Sequence, residues 1–186
     1  MGLFGKLLGG KNNNDSEPKN KEPNFSYIAE LARLISSDDT QLMKKIDRMI
    51  TSPAMYFEDN VGHYDERCVD VNGTDADTLM WIGLVDELSE HGYLFGVDWK
   101  CEAADLKWAL SQLKSGYVIP DLSGSVLDES KDIVEWGAVF NGKLPDHCVC
   151  WVDIDSDSYE LIIVTTEVYD KISKIAESNG HRIVKF

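Results

Sequence analysis

The residues best placed to do chemistry lie between His147 and Thr165, in the segment HCVCWVDIDSDSYELIIVT. Asp153, Asp155, Asp157 and Glu160 crowd one turn there, and such oxygens suit a hard divalent cation, a basic side chain or a cationic partner surface. The spacing Asp153-x-Asp155-x-Asp157 matches the start of a calcium loop. Position 158 is Ser where that loop needs Gly, and its twelfth position is Val164 where it needs Glu, so the motif fails at two defining places. A metal reading then rests on Asp153, Asp155 and Glu160 alone. His147, Cys148 and Cys150 are close in sequence, but a strand turns His147 away from the two thiols, and no CxxC completes a zinc site. No GxSxG elbow and no GxxxxGK[ST] or GxGxxG phosphate loop occurs. No local signature joins Cys68 or Cys101 to His63, His91 or His181. The carboxylates thus lack an evident nucleophile or base, which points away from an enzyme and implies no cofactor.

Two strands must carry these acids, and their register decides what each acid faces. A two-residue turn at Ser156-Asp157, or a four-residue loop from Asp155 to Ser158, pairs Ile154 with Tyr159. Cys148, Cys150, Val152 and Ile154 then share a core face with Tyr159, Leu161, Ile163 and Thr165. The other face carries Val149, Trp151 and Asp153 against Val164, Ile162 and Glu160, with Asp153 directly across from Glu160. Like charges so opposed destabilise a sheet, and a bound cation, an internal Lys or Arg, or a cationic partner is expected to compensate. A three- or five-residue loop would move this register by one.

The elements around the hairpin follow from periodicity. Ile28, Leu31, Ala32 and Ile35 repeat at helical spacing, as do Leu42, Met43, Ile46, Met49 and Ile50, which gives an antiparallel helical pair over 25–52. Asp38 and Asp39 suit the start of the second helix, and Pro53 its end. Residues 53–73 carry little pattern beyond a short strand expected over Arg67–Val71. A helix is predicted from about Asp75 to His91, with Thr74 and Asp77 as an approximate capping box and Gly92 as its stop. Its apolar residues, from Leu79 to Leu88, cover most of its circumference, so it is expected to be central and buried. YLFGVDW alternates as a strand. Helices over about 102–114 and 130–141, the hairpin, a helix over about 167–178 and a last strand, HRIVKF, complete the chain. This order, ending β-β-α-β, predicts one α+β domain over 25–186 with a mainly antiparallel or mixed sheet, residues 75–186 forming its mixed core. Trp108 falls roughly opposite the stripe of Leu106, Ala109, Leu110 and Leu113. It either packs under a loop such as Tyr117–Leu122 or serves as an exposed anchor for a partner, a role open to Trp151 if its face is free.

Charge limits the partners. The 186 residues hold 33 acids against 18 Lys and Arg, a formal net charge of −15. Binding to nucleic acid needs clustered Lys and Arg to neutralise phosphates, and this balance of acids over bases points away from it. Solubility accounts for an acidic surface, and a basic protein partner is the functional reading of the same charge. Cys68, Cys101, Cys148 and Cys150 show no disulfide spacing, so a reducing cytoplasm is the expected compartment. Residues 1–24 read as a tail too polar to offset its ordering entropy. Within it, residues 1–11 offer Leu3, Phe4, Leu7 and Leu8 with Lys6 and Lys11 as a weak membrane-surface element.

Three segments, WIGLVDELSEHGY, VDWK and DIDSDSYELIIV, together resemble an uncharacterised bacterial protein family of similar length. The resemblance covers roughly residues 75–186 and implies no activity, cofactor or catalytic residue. In general character only, the chain is also similar to immunity proteins that neutralise secreted toxins. The sequence therefore leads to a non-enzymatic, immunity-like or adaptor domain that binds a basic partner through Asp153, Asp155, Asp157 and Glu160, with Trp108 or Trp151 as anchor. The alternatives are a metal-binding module or metal-dependent hydrolase on the same carboxylates, and a membrane-surface protein tethered by residues 1–11.

Overall fold

A computed structural model describes residues 24–114 and 127–186. The expected tail up to residue 23, with its membrane-surface element, and the loop Tyr117–Leu122 lie outside the described residues. The chain opens on the expected helical pair, α1 (Ser26–Ser36) and α2 (Thr40–Thr51), and Asp39 caps α2 by accepting from the amides of Gln41 and Leu42. The stretch that lacked a readable pattern forms two short helices, α3 (Pro53–Asp59) and α4 (Val61–Glu66). The strand expected over Arg67–Val71 is absent. Cys68 is left-handed there and the chain runs through turns, because the amides of Cys68 and Val69 bond back to α4.

Helix α5 (Ala76–Glu90) is the central helix, buried around most of its girth. Its cap is Asp75, one residue later than the Thr74 box, and the Asp75 side chain accepts from the amides of Asp77 and Thr78. Gly92 ends the helix at φ +79, a conformation that costs glycine little. Strand β1 (Phe95–Asp98), α6 (Ala103–Gln112) and α7 (Ile133–Asn141) follow. The hairpin β2 (His147–Asp153) and β3 (Ser158–Thr165), α8 (Thr166–Ser178) and β4 (Arg182–Lys185) complete the order.

The four strands pair antiparallel throughout, in the order β1-β3-β2-β4. Helices cover both faces. On one, Cys148, Cys150, Val152, Ile162 and Val164 meet α1, α2, α5 and α8; on the other, Val97, Val149, Leu161 and Ile163 meet α6 and α7. The α+β single domain read from the sequence is therefore built as a sheet between two helical layers.

Candidate functional site

The hairpin register differs by one residue from the expected pairing. Val152, not Asp153, pairs with Glu160, and Cys150 pairs with Ile162. The turn has an odd number of residues, which Asp155 permits by adopting φ +54, a conformation Asp tolerates better than most residues. With strand parity reversed, every β3 side chain lies on the opposite face from the one expected. Glu160 and Asp153 are not opposed, and no like-charge pair needs relief there.

Each acid consequently has its own setting. Asp153 pairs across the sheet with Arg182 of β4 and is salt-bridged to its guanidinium, which also lies 3.4 Å from Asp155. Arg182 is thus the counter-charge of the turn acids, not the relief of an Asp153–Glu160 opposition. The Asp153 carboxylate also accepts from the Asp155 amide at 2.9 Å, and its carbonyl accepts from Trp81 Nε1 at 2.8 Å. Trp81 in turn stacks flat on His181, centroid to centroid at 4.1 Å. His181 Nε2 lies 3.0 Å from Asp77 and 3.1 Å from the Tyr27 hydroxyl, which donates to Asp77 at 2.8 Å. Asp77, Trp81, Asp153, Asp155, His181 and Arg182 line a polar cleft of about 400 Å³ beside the turn. Asp157 is exposed at the turn, where its carbonyl accepts from the Trp99 amide.

Glu160 goes inward. It is 5% exposed, on the face under α5, and receives one hydrogen bond from Ser158 Oγ at 2.9 Å. Its partner across β1 is Gly96, where an added Cβ would fall 2.8 Å from Glu160 Oε2, so the absent side chain makes the room that the carboxylate fills. Burial pushes the Glu160 carboxyl above the usual range and the charge of Asp86 adds to this, while Ser158 and Arg67 pull it down. Asp86 of α5 is equally buried, at 5% exposure. Arg67 Nη2 lies 3.0 Å from its Oδ1 and His63 Nε2 lies 3.2 Å from its Oδ2. Burial raises its carboxyl too, against the pull of both bases. Neighbouring Glu87 accepts from the Tyr56 hydroxyl at 2.6 Å. Polar contacts thus join α5 to α3 through Glu87 and Tyr56, and to α4 and its C-terminal end through Asp86, His63 and Arg67, holding the two short helices to the core.

Sequence reading missed Asp86, Glu87, Arg67 and His63. A signal existed for the first two: α5 is apolar almost all round, so an acid within it has no polar face to occupy. Nothing comparable marked His63 or Arg67. Among the described residues, no three His, Cys, Asp or Glu side chains gather as metal ligands would. All four cysteines are free thiols. The aromatic candidates divide: Trp151 is half-buried against Tyr159 and Phe186 at 5.2 and 4.6 Å, so its face is not open. Trp108 is 57% exposed, edge-on to Phe95, and Trp99, just after β1, is 52% exposed.

The family model for a domain of unknown function (DUF6630) matches residues 28–186. The chain belongs to this family. The match takes in the helical pair, which lay outside the resemblance seen in the sequence. No curated protein and no solved structure matches the chain. Among the described residues no helix is long and apolar enough to cross a membrane.

Proposed function

We propose that this domain is a non-enzymatic protein-binding module that engages a basic partner, in the manner of an adaptor or an immunity protein. The observation that supports the reading is the pair of indoles, Trp99 and Trp108, both more than half exposed on a chain of net charge −15. Large exposed aromatics are costly in water and are the side chains most often found as binding anchors. Asp98 and Asp105 line a groove with Trp108, Glu102 lines another with Trp99, and these carboxylates would steer a cationic partner inward. The anchor thus sits at the β1–α6 corner. At the hairpin, Glu160 is buried and Asp153 and Asp155 already face Arg182. Among the hairpin acids, Asp157 has the clearest role in steering.

Photo-crosslinking tests this directly. Benzoylphenylalanine replacing Trp108 is expected to capture a protein of high isoelectric point in the cells from which the chain comes, with a yield that falls as salt rises. The same group at Met55, which is 61% exposed on α3, is expected to capture none of it. Equal capture at both positions, or no capture at Trp108, would count against this corner as a binding site.

A further inference from the structure

We infer that the outer edge of β1 accepts an extended, basic segment of the partner as a fifth strand, an inference that rests on the protein-binding reading above. β1 ends the sheet, and among the described residues no strand pairs with its outer edge. An edge strand directs alternate N–H and C=O groups outward, ready to pair with another chain. A groove of about 430 Å³ follows that edge, lined by Phe95, Gly96, Val97 and Asp98 and walled by Trp108 and Asp105. Gly96 and Asp98 are exposed.

The groove also specifies what it takes. Phe95 and Val97 lie on the sheet face covered by α6, and Trp108 rises beside them, edge-on to Phe95 at 5.0 Å. Gly96 and Asp98 lie on the other face. A strand alternates its side chains between faces. The matching segment therefore places apolar residues toward Phe95 and Trp108, and Lys or Arg between them toward Asp98. Lys100, the base lining the groove, holds its Nζ 4.7 Å over the Trp99 ring. A second copy of this chain would bring a net charge of −15 against an equal one, so charge favours a basic partner over self-association.

The test uses a displayed library of random twelve-residue peptides selected on the full chain, followed by hydrogen exchange with the enriched peptides bound. Expected are peptides that alternate apolar with Lys or Arg, slow the amides of Gly96 and Asp98, which the β1–β3 register turns outward, and bind Trp108→Ala at least about tenfold more weakly. Trp108 is exposed, so this variant keeps the fold, and circular dichroism verifies it. Strand addition is overturned by peptides of helical periodicity, by acidic peptides, or by binding that leaves the β1 amides unprotected. Failure to enrich any peptide overturns it as well, and so does self-association through β1. If these fail while Trp108 still crosslinks a basic protein, strand addition falls and the protein-binding reading stands; if both fail, both are wrong.

Discussion

Replacing Glu160 by Gln tests whether the buried carboxylate is a cost that the fold carries. Gln keeps the volume beside Gly96 and an oxygen to accept from Ser158, and removes only the charge. Four effects change with it: desolvation and repulsion from Asp86, which oppose ionisation, set against attraction to Arg67 and the extra strength of the Ser158 hydrogen bond to a charged acceptor, which favour it. The first two win, because the native carboxyl titrates above its ordinary value. The folded protein therefore holds this proton to higher pH than the unfolded chain does. Its contribution to stability is complete below the ordinary Glu value, about 4.3, and is lost as pH rises through the raised native value. The steepest loss for one proton is about 1.4 kcal/mol per pH unit. Glu160→Gln is thus expected to match the parent near pH 4 and to exceed it by about 1 kcal/mol at pH 8. Urea melts of both proteins at each pH from 4 to 8 measure the difference, and effects shared by the other acids cancel in it. A variant less stable than the parent at pH 8 would show that Arg67 outweighs desolvation, and a difference flat with pH would refute the linkage itself.

Three further outcomes are expected. Gly96→Ala drives a Cβ against Glu160 Oε2 and should cost about 1–3 kcal/mol in a urea melt; combining it with Glu160→Ala should return part of that loss, since the two sites share one space. Arg67→Met leaves the buried Asp86 with His63 alone and should cost about 2 kcal/mol at neutral pH, the lower side for a broken buried pair because Arg67 is partly exposed. Loss of less than half of this would mean that Arg67 is not the counter-charge. Asp75→Ala should lower stability by about 1 kcal/mol by uncapping α5, while Thr74→Ala changes the melt little; the reverse ranking would restore the Thr74 box.

The helices were legible because each buries a single stripe or, in α5, nearly its whole surface. The hairpin's strands were legible and their register was not, for a physical reason. Register is read from which alternate set is apolar, and here helices cover both faces, so Leu161 and Ile162 are each buried whichever way the strand is turned. Only Glu160 broke that symmetry, and a surface carboxylate was the expected choice. The deciding element was local: a left-handed Asp155 inside an odd-numbered turn. For the candidate site, the place of Trp108 opposite the core stripe of α6 followed from helical spacing, while its exposure and the β1 edge needed the structure. The network around Asp86 depended on α3 and α4, whose few apolar residues leave no lasting period.

The placement of Glu160 also bears on how the chain reaches its fold. β2 and β3 are neighbours in sequence and can close early, whereas β1 meets β3 only across a long loop containing α6 and α7. Until β1 arrives, β3 is an unpaired edge, and its third residue is a hydrated carboxylate that deters other strands from adding there. Docking of β1 brings Gly96 over that same carboxylate and removes its water. One side chain thus guards the edge during folding and is stripped of water when the sheet closes. Refolding of the parent should therefore be slower at pH 8 than that of Glu160→Gln, and the faster variant should aggregate more readily along the way.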